Sequence, residues 1–279
     1  MSIPLHKAAQ RFDFGIFLKG NSFVLPEEPV GYAHRDDYYV FGMVDSGSCR
    51  VAIDFKEYRL SEGEIIAVQP GQVHRVVDVG DARRSVLFVD GAFVGPAARR
   101  VLAEYALCPA PFRPADIQRA ELGQLFAMIA RRIGDFGDED SKGVVRSLSD
   151  AVIGLITQEM RKAAGRLPAN RRHVEIMLAF RDLLAKDDRI ARSPSRYAAA
   201  LHISPVYLNE VVKGVTGENA SRYIQSEIVL RAKRMLVYTP QQIGEIAHSL
   251  GFDDSGYFTR LFTRLTGMSP TAYRMKYLE

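Results

Sequence analysis

The chain has 279 residues, of which 47% are hydrophobic and 25% charged. That length corresponds to about two domains of ordinary size, and that composition excludes a disordered or fibrous chain. The net charge of +4 is uneven: residues 166–279 carry 17 Lys+Arg against 11 Asp+Glu (+6), and residues 1–165 carry −2. A basic C-terminal part suits a polyanionic partner.

The N-terminal segment MSIPLHKAAQRFDF lacks the apolar core of a signal peptide, and no stretch reaches the roughly 18 uncharged apolar residues of a bilayer span. A cytoplasmic protein with no membrane partner is expected. Cys49 and Cys108 form no CxxC spacing, so both are expected to act as small apolar residues rather than as a disulfide or zinc framework.

The segments YYVFGMV (38–44), CRVAID (49–54), EYRL (57–60), EIIAV (64–68), VHRVV (73–77) and SVLFVD (85–90) are short and rich in Val, Ile, Tyr and Phe. The turn sequences DSGS, SEG, QPGQ and VGDA separate them, as in a small antiparallel barrel or sandwich. From Asp116 the period becomes helical, with Ile117, Leu122, Leu125, Phe126 and Ile129 on one stripe. A second helix is expected over 144–160, with Val145, Leu148, Val152, Leu155 and Ile156 inward. The acidic GDEDSKG (137–143) reads as the loop between them. Gly165 and Pro168 in RKAAGRLPAN (161–170) break the helical pattern, so the domains are set at 1–165 and 166–279.

The C-terminal part contains a repeat. At an offset of 50, SPVYLNEVVKGVTGENASRY lies over DSGYFTRLFTRLTGMSPTAY, pairing Tyr207, Thr216, Gly217 and Tyr223 with Tyr257, Thr266, Gly267 and Tyr273. Leu208, Val211, Val212 and Val215 match Phe258, Leu261, Phe262 and Leu265, which is one helix face. Upstream, Tyr197, Ala198, Leu201 and Ile203 match Ile246, Ala247, Leu250 and Phe252 at an offset of 49. Each copy reads as a short helix opened by Pro194 or Pro240, a tight turn, and a longer helix, with Ser204 capping the first long one. This is helix-turn-helix organisation.

The faces opposite the core carry Val206, Asn209, Glu210, Lys213 and Gly214 in the first copy, and Ser255, Gly256, Thr259, Arg260, Thr263 and Arg264 in the second. The second face has no carboxylate, as a surface meeting phosphates requires. A helix through NASRYIQSEIVLRAKRMLVYT links the copies, with Ile224, Ile228, Met235 and Leu236 inward and Arg222, Arg231, Lys233 and Arg234 outward.

The segment IGEIAHSLGFDDSGYFTRLFTRLTGMSPTAYR (243–274) resembles the signature of the AraC/XylS family of bacterial transcription regulators, and YAAALHISPVYLNEVVKGVTG resembles its first half more loosely. Val212 stands where that family generally has Phe, and Glu210 lies on the reading face. Residues 34–76, with Gly63-Glu64, Pro70-Gly71 and Val73-His74, resemble the family's cupin-like sensor. The resemblance implies an all-β cupin-like barrel with dimerisation helices ahead of an all-α domain holding two helix-turn-helix motifs. It implies a homodimeric transcription activator that binds promoter DNA, answers to a small-molecule effector and works with RNA polymerase.

Cupin enzymes hold a metal on two close histidines, a carboxylate and a later histidine. Here Arg35-Asp36 follows His34, leaving His34 and His74 as the plausible ligands, too few for a catalytic metal site. His34 and His74 are therefore read as effector contacts, with a hydrogen-bonded rim residue as the equal alternative for His74. His6, His173, His202 and His248 read as scattered. Neither GxxxxGK[ST] nor GxSxG occurs, and no catalytic residue, cofactor or enzyme activity is expected. A cupin-type enzyme with a helical appendage, and a DNA-binding protein whose barrel only dimerises, are the alternatives.

Overall fold

In the computed structural model the described residues are 4–7, 14–20, 32–107, 109–133, 139–163, 171–187, 190 and 193–278. They fall into two compact units, Pro4–Arg166 and Leu167–Glu279.

Among the described residues the first unit has nine strands: β1 (Leu5–His6), β2 (Ile16–Gly20), β3 (Arg35–Asp36), β4 (Tyr38–Ser46), β5 (Ser48–Ile53), β6 (Lys56–Ser61), β7 (Ile65–Val68), β8 (His74–Asp78) and β9 (Arg83–Asp90). One antiparallel sheet has the order β2-β9-β4-β7, a second has the order β6-β5-β8, and β1 pairs in parallel with β3. All six strand segments expected from the sequence are present. The two-residue β1 and β3 are too short to leave a periodic signal.

Side-chain alternation explains why the larger sheet is apolar on both faces. Tyr38, Val40 and Val44 of β4 and Ile66 and Val68 of β7 point toward the smaller sheet, where Cys49, Ile53, Tyr58 and Leu60 complete one core. Burial raises the Cys49 thiol pKa above its ordinary value, which suits a small apolar residue. Cys108 lies outside the described residues. The alternate residues Phe41, Met43, Ile65, Ala67, Leu87 and Val89 face three helices, α1 (Pro96–Tyr105), α2 (Asp116–Ile133) and α3 (Glu139–Ala163). The strands meet in close turns: a Cβ on Gly80 would lie 2.3 Å from the Ser48 carbonyl oxygen, at a φ of +54°.

Two expectations about these helices need correction. Ile117, in the first turn of α2, is 70% exposed; Leu122, Phe126 and Ile129 form the buried stripe. The acidic 137–143 segment is not wholly a loop: α3 begins at Glu139, where carboxylates in a first turn favour the helix N-terminus. Its Val145, Val152 and Ile156 are buried as expected, and it runs on to Ala163. Residues 164–170, which contain the expected linker's Gly165 and Pro168, lie outside the described residues.

The second unit is helical: α4 (Arg171–Lys186), α5 (Pro194–Ala200), α6 (Pro205–Thr216), α7 (Ala220–Tyr238), α8 (Ile243–Ser249), α9 (Ser255–Thr266) and α10 (Pro270–Leu278). Pro194 opens α5 as expected. Pro240 does not open its counterpart: α8 starts at Ile243, capped by Gln242, whose N–H donates to the Glu245 Oε2 at 2.7 Å in a capping box. Ile224, Ile228 and Leu236 of α7 are buried, whereas Met235 is half-buried.

Candidate nucleic-acid interface and histidine cluster

The repeat extends to individual hydrogen bonds. In the turn after α5, the N–H groups of Leu201, His202 and Ile203 donate to the carbonyls of Tyr197, Ala199 and Ala198; after α8, those of Leu250, Gly251 and Phe252 donate to Ile246, His248 and Ala247. Both turns need one left-handed residue, supplied by His202 (φ +55°) and Gly251 (φ +87°).

The long helices α6 and α9 then start from Ser204, whose Oγ accepts from the Tyr207 N–H, and Asp254, whose Oδ1 accepts from the Gly256 N–H. Both end on left-handed glycines, Gly217 and Gly267, whose N–H groups donate to Lys213 and Thr263 carbonyls at 2.9 and 2.8 Å. Thr216 and Thr266 each donate back to the carbonyl four residues earlier at 2.8 Å.

Leu208, Val211, Val212 and Val215 of α6 and Phe258, Leu261 and Phe262 of α9 are buried. Phe262 packs edge-on against Tyr273 at 5.4 Å. In the first copy, where Val212 replaces that ring, Phe180 of α4 packs against Tyr223 at 5.9 Å instead. The turned-out faces hold the residues singled out from the sequence. Val206 is 70% exposed, Glu210, Lys213, Ser255 and Arg264 are exposed, and Gly256, Thr259 and Thr263 are half-buried. The Arg260 side chain is 71% exposed, with Nη2 3.6 Å from Asp254 Oδ2, and Arg264 Nη2 donates to Gln225 Oε1 at 3.4 Å.

Three polar side chains have structural work that the sequence hid. Asn209 accepts the Ala220 N–H on Oδ1 at 3.1 Å, tying α6 to the start of α7. Arg231, expected outward, donates to the Asp187 carbonyl at 2.7 Å and to that of Leu184, sealing the end of α4. Lys233 lies 5.6 Å over the Tyr273 ring, and burial lowers its pKa below the ordinary value.

In the first unit the structure brings His34 and His74 together: their backbones form an antiparallel bridge with N–H···O distances of 3.0 and 2.9 Å, and their ring centroids are 4.3 Å apart. The loop before His74 is pinned by Asp54, which accepts from the Val73 N–H and Gln72 Nε2, both at 3.1 Å. The Gly71 N–H donates to the Asp36 carbonyl at 2.8 Å.

Two further residues join this pair. Asp36 is 1% exposed, and the parallel pairing of β1 with β3 sets His6 directly opposite it. His6 Nδ1 is 3.2 Å and His34 Nε2 3.8 Å from Asp36 Oδ1, and His74 Nε2 is 3.2 Å from Oδ2. The backbone carbonyls of Tyr32 and Gln72 lie 3.1 and 3.2 Å from the Nδ1 atoms of His34 and His74, and the Tyr32 hydroxyl lies 3.1 Å from His6 Nε2.

Burial and the neighbouring His74 lower the His34 pKa to about 4. Burial acts to raise that of Asp36, but His74 and His34 outweigh it and the carboxyl sits below its ordinary range. His6 is therefore not one of the scattered histidines. The premise that His34 and His74 lack a third ligand also fails: donor atoms of His6, His34 and Asp36 lie within 4.8 Å of one another. His6 is 28 residues from His34 in sequence, and strand pairing alone closes that gap.

Two family models match the chain: an AraC-like ligand-binding domain over residues 27–156 and a helix-turn-helix domain over residues 197–276. Curated relatives include the HTH-type transcriptional activator RhaR of Salmonella dublin and of Salmonella typhimurium, each 22% identical over 276 residues, or 93% of this chain and 96% of the relative. Among solved structures, ToxT from Vibrio cholerae aligns at 12% identity over 95% of this chain and all of its own, with a TM-score of 0.44. The C-terminal domain of AraT from Geobacillus stearothermophilus aligns at 27% identity over 36% of this chain and 84% of its own, with a TM-score of 0.34.

Proposed function

The chain belongs to the AraC-type transcription regulators, with an N-terminal ligand-binding unit and a C-terminal helix-turn-helix unit, and from that premise we propose that it is a promoter-binding activator that reads two groove segments with α6 and α9. The observation that carries this is the hydrogen-bond-by-hydrogen-bond repetition of the two motifs, each presenting an exposed polar face opposite a buried one. The spacer α7 has 19 residues, about 28 Å at ~1.5 Å per residue, near the roughly 34 Å between successive major grooves.

In this reading Val206, Asn209, Glu210 and Lys213 meet one groove segment, and Ser255, Gly256, Thr259, Arg260, Thr263 and Arg264 the next. Lys and Arg give salt-dependent phosphate affinity, and Arg260, Thr259, Glu210 and the Asn209 amide nitrogen read base edges. The effector binds in the N-terminal unit beside His34 and His74 and acts by favouring one of two arrangements of the protein.

Two copies pair through the outer faces of α2 and α3, where Leu125, Met128 and Leu155 border a groove floored by the small Ala151 and Gly154. The dimer recruits RNA polymerase from two half-sites in the cytoplasm. Among the described residues no helix is long and apolar enough to cross a membrane. The family is one of regulators, and no enzymatic step is assigned to the chain. Genome-wide mapping of bound sites tests the proposal: peaks containing a shared pair of half-sites upstream of operons are expected, and uniform binding without a shared sequence would refute it.

A further inference from the structure

We propose that His6, His34 and Asp36 hold a divalent first-row transition-metal ion, with His74 steadying the second oxygen of the carboxylate. This goes beyond the regulatory reading and does not depend on it.

The first argument is how the histidine rings are held. A backbone carbonyl only accepts hydrogen bonds, so the carbonyls of Tyr32 and Gln72 place a proton on Nδ1 of His34 and His74. Both rings then turn Nε2 toward Asp36, at 3.8 and 3.2 Å. Fixing the distal nitrogen by a carbonyl, so that the proximal one is free for an ion, is the usual outer shell of a metal-bound histidine. The Tyr32 hydroxyl lies beside His6 Nε2, and His6 Nδ1 also faces Asp36.

The second argument is spacing. Bonds of about 2.1 Å at tetrahedral angles put neighbouring donors roughly 3.4 Å apart. The nitrogens of His6 and His34 lie 3.2 and 3.8 Å from the same carboxylate oxygen, and all three donors fall within 4.8 Å of each other. Two imidazoles with one carboxylate suit Zn(II), Co(II), Ni(II) or Fe(II), while Ca(II) and Mg(II) prefer oxygen-only sets. Because His6 comes from a strand of only two residues, the ion would also fasten the N-terminal strand to the barrel.

The experiment strips the full-length protein with a chelator, titrates it with Co(II) alone, records visible absorption, and then adds Zn(II) in competition. One Co(II) per chain is expected, with the intense visible bands of a tetrahedral ion, displaced by equimolar Zn(II). Co(II) should bind His6→Ala and His34→Ala weaker by roughly 10- to 100-fold or more. If either variant misfolds by circular dichroism, the wild-type spectrum and stoichiometry decide alone. Only the pale spectrum of the hydrated ion, or affinity unchanged in well-folded variants, overturns the site. DNA binding by the same stripped sample reports on the C-terminal unit, so loss of the metal site and loss of the regulatory reading are told apart.

Discussion

Replacing Arg260 by alanine sets two interactions of different size against each other. In the free protein its guanidinium lies 3.6 Å from the Asp254 carboxylate, and both side chains are largely exposed. An exposed pair of this kind contributes under about 1 kcal/mol, whereas a bidentate contact to the O6 and N7 of guanine discriminates by about 1–3 kcal/mol. On the proposed reading, Arg260 would leave Asp254 for a base with a net gain. Arg260→Ala should leave the melting temperature within about 2 °C, since an exposed side chain away from the core changes stability by less than about 0.5 kcal/mol. Affinity for a mapped site should fall roughly 5- to 150-fold, and preference at one base pair should flatten. Arg260→Lys keeps the charge without the planar fork, so it should retain the salt dependence and lose the preference. Fluorescence anisotropy with single-base-pair variants of a mapped site measures both. Unchanged affinity and an unchanged preference profile in Arg260→Ala would remove it from the reading face.

Three other outcomes follow from particular contacts. Asn209→Ala should lower stability by about 1 kcal/mol in urea unfolding, because the buried Ala220 N–H loses its acceptor, and Asn209→Asp should recover most of it; equal stability of all three would show that the contact contributes nothing. His202→Gly should raise stability by about 0.5–1 kcal/mol, since an exposed histidine holds a left-handed φ that its counterpart Gly251 adopts without strain; a lower melting temperature would contradict this. If two copies pair as proposed, Leu125→Glu should convert dimer to monomer in analytical ultracentrifugation with the N-terminal unit still folded, and a persistent dimer would place the interface elsewhere.

What could be read from the sequence was what repeats. Strand alternation from Tyr38 to Asp90 and the helix faces of α3, α6 and α9 leave a period, and the two motifs leave a second copy against which each residue can be checked. Elements without a period were lost. The pairing of Leu5 and His6 with Arg35 and Asp36 spans two residues, so the histidine cluster, which depends on it, could not be assembled from local spacing. Neither could the roles of Arg231 and Asn209, whose partners are backbone groups that sequence does not position. Pro240 misled because proline favours a helix start, yet the reciprocal bonds of Gln242 and Glu245 fix the start of α8 three residues later. Ile117 misled because periodicity gives a face but not how far along a helix that face stays covered.

The most direct test is an anisotropy titration of residues 169–279, shown to be folded, against duplex promoter DNA over a range of salt concentrations. Tight binding in dilute buffer is predicted, with the logarithm of the association constant falling linearly with the logarithm of salt as phosphates are neutralised. A folded domain that attracts no duplex even at the lowest salt would contradict it.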